Sequence, residues 1–360
     1  MTSAHDSAKG DEASGGPLTL AEIAQRTGVS VATVSKVVNG RDNIAPGTRE
    51  LVEGAIRRHG YRRQKRGGRP APLLELVFHE LNGLYGVEIF HGVQRVARQN
   101  GLAVVVTELQ GRQMPGRDWV EEVLARRSTG VITVCSGLTE DQNHRLRSRG
   151  VPYVLVDPTG APGHDAASVG AGNWNGGLSA TRHLIELGHR RIAVITGAEG
   201  VLAARARLDG YRAALDMAGI PSDPDLIRIG NFQIADGLTH TRRLLGLPDP
   251  PTAIFASNDH EAIGVYQAAA EAGLRIPGDL SVVGFDDLPT AEWIVPALTT
   301  VRQPLREMGG QATTMLLTLA RGEPLPVDRM ELSTRLVVRN STAPPAPGGD
   351  RGFRVRPVAG

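Results

Sequence analysis

Cysteine is almost missing from this 360-residue sequence. Cys135 stands alone, which excludes an intramolecular disulfide framework and a multi-thiolate metal site and suits a reducing compartment. No apolar run approaches the ~20 residues of a membrane span, and the first 17 residues, MTSAHDSAKGDEASGGP, lack the apolar core of a secretory signal. A cytoplasmic protein is therefore expected. Catalytic signatures are also missing. The chain contains no G-x-S-x-G elbow and no P-loop, and its ten histidines are scattered. Neither an enzyme nor a bound metal or cofactor is expected. Aromatic residues make up only 4%, and all three tryptophans, Trp119, Trp174 and Trp293, fall outside the apolar strand-like runs.

What is present is an uneven charge. Residues 18–72 hold eleven Lys/Arg against four Asp/Glu, while residues 73–360 carry a net −3. A basic head on a mildly acidic body suits a polyanionic partner. Within the head, Thr19-Leu20-Ala21-Glu22 reads as a capping box, and Gly28 ends the helix it opens. Ser30 caps a second helix running to about Asn39-Gly40, and Pro46 opens a third with Leu51, Val52, Ala55 and Ile56 as its apolar stripe. This is a helix-turn-helix pattern. Val34, Val37 and Val38 turn inward, which leaves small residues outward on a helix able to enter a major groove. Val31 and Ala32 can meet a thymine methyl, and Lys36 can donate to guanine. Thr33, Ser30 and Asn39 suit phosphate contacts, and Thr19 and Ser35 complete the candidate DNA face.

The run TLAEIAQRTGVSVATVSKVVNG…TRELVEGAIRRHGY resembles the N-terminal domain of the lac repressor (LacI/GalR) family. The resemblance continues over about residues 18–340 and implies a dimeric transcription regulator whose second helix reads a palindromic operator. One departure follows Tyr61. The family has a longer stretch there, which folds on DNA and carries a leucine wedge, but no leucine lies between Gly60 and Pro72, and Gly67, Gly68 and Pro70 oppose a helix. A basic arm is expected instead, with Arg62, Arg63, Lys65 and Arg66 following phosphates or entering a narrow minor groove.

From residue 73 onward, apolar runs alternate with amphipathic segments: LLELVFH, LAVVVTEL, GVITVC, PYVLVD, RRIAVITG, TAIFAS and LSVVGFD. That alternation predicts parallel sheets covered by helices. Some 270 residues are too many for one such sheet, so two α/β lobes are expected. The body thus resembles periplasmic sugar-binding proteins. Lobe 1 is placed at about 73–170 and 303–330, and lobe 2 at about 171–302 and 331–340. The head covers 18–64, a basic linker 65–72, and disordered ends 1–17 and 341–360. The proline- and glycine-rich tail has no heptads, so a dimer is expected rather than a tetramer built on a leucine helix.

Ligands of open parallel sheets bind beyond the carboxyl ends of the strands. The residues there are Glu80, Asp157, Arg205, Arg207, Asn258 and Asp286, with Trp174, Phe232 and Trp293 in nearby loops. Carboxylates, amide and guanidinium match vicinal hydroxyls, and aromatic faces match sugar C–H groups. The family resemblance singles out Arg207 in AARARLDGYRAAL as the residue that clamps ligand hydroxyls, with Arg205 beside it. It also implicates Asn258, Asp286, Asp157, Phe232 and Glu80. Tyr85, in Leu84-Tyr85-Gly86, would add an apolar or stacking wall. Val134 stands where the family often has a polar residue. The resulting expectation is a repressor of carbohydrate-utilisation genes switched by a mono- or oligosaccharide. A purine-responsive regulator is the nearest alternative; a sugar-binding protein or a sugar-acting enzyme fits less well.

Overall fold

The computed structural model describes residues 18–38, 44–59, 71–81, 83–110, 114–116, 118–158 and 166–346. It divides into two compact units, Met1–Pro70 with Glu140–Val151, and Ala71–Thr139 with Pro152–Gly360.

The head holds α1 (Leu20–Thr27), α2 (Val31–Val38) and α3 (Pro46–His59). The capping box forms as the sequence suggests. Thr19 N donates to Glu22 Oε2 at 2.6 Å, and Glu22 N donates back to Thr19 Oγ1 at 3.4 Å. Gly28 ends α1 in the left-handed region at φ 69°. Ser30 Oγ accepts from Thr33 N at 3.0 Å and caps α2. Val34, Val37 and Val38 then bury against Ile23, Ala24, Val52 and Ala55. Each buried valine gains about 1.5–3 kcal/mol, which outweighs a helix-propensity penalty below about 0.7 kcal/mol. Leu51 departs from the expected stripe, for it is 47% exposed. Val52, Ala55 and Ile56 satisfy the i, i+3, i+4 face by themselves, and Leu51 falls outside it.

The larger unit is two parallel-sheet lobes. Its elements are β1 (Leu73–Phe78), α4 (Leu84–Gln99), β2 (Ala103–Glu108), α5 (Trp119–Arg126), β3 (Gly130–Val134), then, after α6 (Glu140–Ser148) of the other unit, β4 (Tyr153–Val156), β5 (Ala167–Ala171) and α7 (Asn173–Glu186). There follow β6 (Ile192–Thr196), α8 (Leu202–Met217), β7 (Ile227–Ile229), α9 (Ile234–Leu245), β8 (Ala253–Ala256), α10 (Asp259–Glu271), β9 (Ser281–Asp286), α11 (Thr290–Trp293), β10 (Thr299–Arg302), α12 (Leu305–Ala320), β11 (Arg329–Leu332) and β12 (Arg335–Val337). The first sheet runs β11-β5-β4-β3-β1-β2 and the second β12-β10-β9-β8-β6-β7. Pairing is parallel except between β10 and β12.

Each lobe has its own core. Leu74, Leu76, Phe78, Ile132 and Val156 pack under α4 and α12. Ile192, Val194, Phe255, Val283 and Phe285 pack under α7 and α8. The chain passes between lobes three times: at Gly172 between β5 and α7, at Gln303-Pro304 between β10 and α12, and at Ser333-Thr334 between β11 and β12. No helix among the described residues is long and apolar enough to cross a membrane.

Two sequence expectations are corrected at the ends of the body. The basic linker is expected to reach residue 72, yet Ala71 N donates to Arg127 O at 3.0 Å and Pro72 O accepts from Ala103 N at 2.8 Å, so the body already holds these residues. The disordered tail is expected from residue 341. Instead Ser341 is buried, with its Oγ donating to Val282 O at 2.6 Å and accepting from Thr299 N at 2.8 Å. Hydroxyls pairing with strand backbone hold this segment, a bond that composition does not reveal. Residues 1–17 and 347–360, also expected to be disordered, lie outside the described residues.

Candidate functional site

The head presents one open face on α2. Val31, Ala32 and Lys36 are exposed there, with Val31 at 48%. Ser30 and Thr33 pair through their hydroxyls at 2.8 Å, and Ser35 is half-buried. Thr19 is engaged with Glu22, and the hydrogen bond from Thr19 N is the main cause holding the Glu22 carboxyl below the usual range. Asn39, Arg62, Arg63, Lys65 and Arg66 lie outside the described residues.

In the body, a cavity of about 190 Å³ opens between the carboxyl ends of the two sheets. Lobe 1 supplies His79, Glu80, Tyr85, Cys135 and Asp157, and lobe 2 supplies Arg207, Phe232, Asn258, His260 and Asp286. Backbone strain gathers at these strand ends. Cys135, Asp157, Phe232 and Asp286 all have positive φ, at 49°, 49°, 63° and 111°. Such conformations cost of order 1–3 kcal/mol each and persist where their surroundings hold them.

Tyr85 does more than form an apolar wall. Its Oη donates to Asp157 Oδ2 at 2.7 Å, and burial, with Asp157 beside it, pushes the phenol well up. Cys135 Sγ lies 3.9 Å from the same oxygen, and its thiol is pushed up to about 12 by burial and then by Asp157. It is an unreactive wall group.

Arg207, 3% exposed, is held from several sides. Its Nε donates to Asn173 Oδ1 at 2.8 Å and its Nη1 to Ser257 O at 2.6 Å. The Asp286 carboxylate is 3.8 Å away, and the Phe285 ring centroid is 3.8 Å from the guanidinium carbon. Burial raises the Asp286 carboxyl to about 7 despite Arg207 and the 2.6 Å bond from Gln303 Nε2.

Asn258 turns out to shape the wall. Its Oδ1 caps α10 by accepting from Glu261 N at 2.8 Å, and its Nδ2 donates to Phe232 O at 3.0 Å. Glu261, raised to about 8 by burial, accepts from Phe232 N at 3.2 Å. Phe232 packs so closely on Gly197 that a Cβ there would overlap its ring. At the mouth, the His260 ring covers Gly83, which has φ 86°, and a Cβ on Gly83 would overlap that ring. Burial lowers the His260 pKa.

Seven of the ten residues expected at the effector site line this cavity: Glu80, Tyr85, Asp157, Arg207, Phe232, Asn258 and Asp286. Arg205, Trp174 and Trp293 do not. Arg205 lies two residues, about 200° of helix, from Arg207; its side chain is 75% exposed, with Asp209 at 3.9 Å. Trp174 follows Asn173 by about 100° and faces outward, and Trp293 on the single turn of α11 is also exposed. Val134 belongs to the lobe 1 core.

Two family models match this architecture: bacterial regulatory proteins of the lacI family over residues 19–64, and a periplasmic binding protein-like domain over residues 181–342. The HTH-type transcriptional repressor PurR of Vibrio atlanticus (strain LGP32) is 31% identical over 329 residues, covering 90% of this chain and 98% of its own. The chain belongs to the LacI family. A solved CelR–cellobiose complex superimposes on this LacI-family chain with a TM-score of 0.69 at 34% identity, covering 90% of this chain and 99% of the other. A lac repressor dimer bound to operator and an anti-inducer gives 0.66 at 29% identity, covering 91% and 99%.

As a LacI-family member the chain is a DNA-binding transcriptional regulator with an effector-binding body. Sequence reasoning missed some polar groups of this regulator. Asn173 and Gln303 hold the floor of the cavity from behind, and His260 lines it with its ring against Gly83. The bonds of Asn173 and Gln303 and the His260–Gly83 contact all join parts of the chain far apart in sequence.

Proposed function

We propose that this regulator is a homodimeric, cytoplasmic repressor of carbohydrate-utilisation genes, whose affinity for a palindromic operator is switched by an uncharged mono- or oligosaccharide. The cavity's charge balance carries this reading. Glu80, Asp157 and Asp286 line it, with Arg207 as the one guanidinium among the described residues, and Arg207 is already engaged by Asn173, Ser257 and Asp286. Carboxyl groups suit sugar hydroxyls, and a lining with more acidic than guanidinium groups disfavours a phosphate ester. Phe232 offers a stacking face. The cellobiose bound by the similar CelR supports a sugar. The site is read as binding without catalysis, in line with the repressors this chain resembles. On the head, Val31, Ala32 and Lys36 read bases, while Ser30, Thr33, Ser35 and Asn39 position the helix on phosphates. Arg62, Arg63, Lys65 and Arg66 extend that hold. The two-fold dimer presents two heads to two half-sites.

The similarity to PurR and the Phe232 face support a second reading, a purine effector. A thermal-shift screen of neutral saccharides, their phosphate esters and adenine separates the two, with Arg207→Ala as control. Stabilisation by a neutral saccharide, lost in Arg207→Ala, is expected. Adenine as the sole stabilising compound overturns the sugar reading, and a phosphate ester binding more tightly than its parent sugar overturns the charge reasoning.

A further inference from the structure

The charged floor of the cavity is bonded directly to the segments where the chain passes between lobes. Arg207 Nε donates to Asn173 Oδ1 at 2.8 Å, and Asn173 Nδ2 donates to Ala171 O at 3.0 Å, so one side chain bridges the first crossover. Asp286 is bonded twice to the second crossover: Gln303 Nε2 donates to its Oδ1 at 2.6 Å, and Gln303 N to its carbonyl at 3.2 Å. The third crossover is tied to the first, with Gly172 N donating to Leu332 O at 2.9 Å and Thr334 Oγ1 to Gly172 O at 3.0 Å. The 3.8 Å approach of Arg207 to Asp286 closes the circuit. Asn173 and Gln303 are both buried, and neither lines the cavity. Gln303 Oε1 has no hydrogen-bond partner among the described residues, so this amide is held from one end only. Next to it, Asp287 pairs with Arg302 and, at 2.7 Å, with Arg339, which fastens the end of β10.

A crossover of one or two residues has few dihedrals with which to absorb movement. A buried hydrogen bond to a charged group is short, directional and costly to break. A ligand that shifts the Arg207 guanidinium or the Asp286 carboxylate must therefore shift the crossovers as well.

We infer that Asn173 and Gln303 are positioning residues that convert ligand occupancy at Arg207 and Asp286 into a change of lobe angle. This rests on reading the cavity as the effector site. An ordinary pocket residue alters ligand affinity; a positioning residue of this kind alters the coupling between two sites, a separate quantity.

The test uses full-length dimer and an inverted-repeat operator selected from random DNA by the wild-type protein. Cellobiose and adenine are the probes. Probe Kd is measured by calorimetry, and operator affinity by fluorescence anisotropy with and without saturating probe. In the wild type, the bound probe is expected to change operator affinity about 5–150-fold. In Gln303→Met, and separately in Asn173→Ala, the operator response at saturating probe is expected to fall toward unity, by a larger factor than any weakening of probe Kd. A probe Kd that weakens in step with the response overturns the inference, as does an unchanged response in both variants. Adenine binding without cellobiose binding overturns the sugar reading alone, because the coupling is still measured with adenine. A wild-type protein whose operator affinity responds to neither probe overturns the inference.

Discussion

Asp286 concentrates the electrostatics of the cavity in one carboxyl group. Burial lifts it from its ordinary 3.8 to about 7, against the pull of Arg207 and Gln303. The folded protein therefore binds this proton more tightly than the unfolded chain does. The resulting contribution to stability is complete below about pH 3.8 and is lost as pH rises through 7. An asparagine cannot ionise, so Asp286→Asn is expected to gain stability relative to wild type between pH 5 and pH 8. Thermal melts across that range check this, and parallel profiles for the two proteins would contradict it. Of the residues that line the cavity, Asp157 and Asp286 are legible in the sequence because they sit at the ends of strand-like runs, whereas Arg207, inside α8, is legible only through the family resemblance of AARARLDGYRAAL. Arg205, expected beside Arg207, does not line the cavity, since helical geometry separates residues two apart. Asn173 and Gln303 carry no local signal: their partners are 34 and 17 residues away.

At the scale of elements, long apolar runs identify β1, β2, β3, β4, β6, β8 and β9 from sequence, and the α1 capping box and its glycine stop are visible residue by residue. The short strands β5, β7, β10, β11 and β12 are not. Ala167–Ala171 reads ASVGA and owes its place to pairing between β4 and β11 rather than to its own pattern. Helix pairing was equally hidden. Gly177 on α7 lets α8 approach so closely that a Cβ there would overlap the Arg207 carbonyl oxygen. Gly177→Ala is expected to cost about 1–3 kcal/mol through overpacking. It should lower Tm by about 2 °C or more in a thermal melt and weaken binding by the displaced Arg207. An unchanged Tm would show that the helices separate freely. In the head, Lys36→Ala is expected to weaken operator binding by about 1–3 kcal/mol and relax preference at one base pair. Anisotropy against single-base operator variants measures both effects.

For the whole molecule, the charge layout separates a cationic DNA-reading end from an acidic sensing body. Each phosphate contact contributes about 0.9 to the slope of log affinity against log salt. Neutralising Arg62, Arg63, Lys65 and Arg66 together is expected to reduce that slope by up to about 3.6 for each arm. A slope identical to wild type would remove the arm from the interface.

The imidazole of His260 resting over the bare α-carbon of Gly83 has a genetic corollary. A methyl group at position 83 would act as a doorstop, leaving the two jaws unable to shut on an effector. A cell carrying Gly83→Ala should then ignore its effector. A reporter gene that stays silent would mean the effector normally lifts repression, and one that stays switched on would mean the effector normally enforces it. One added carbon atom would thus reveal the sign of the response.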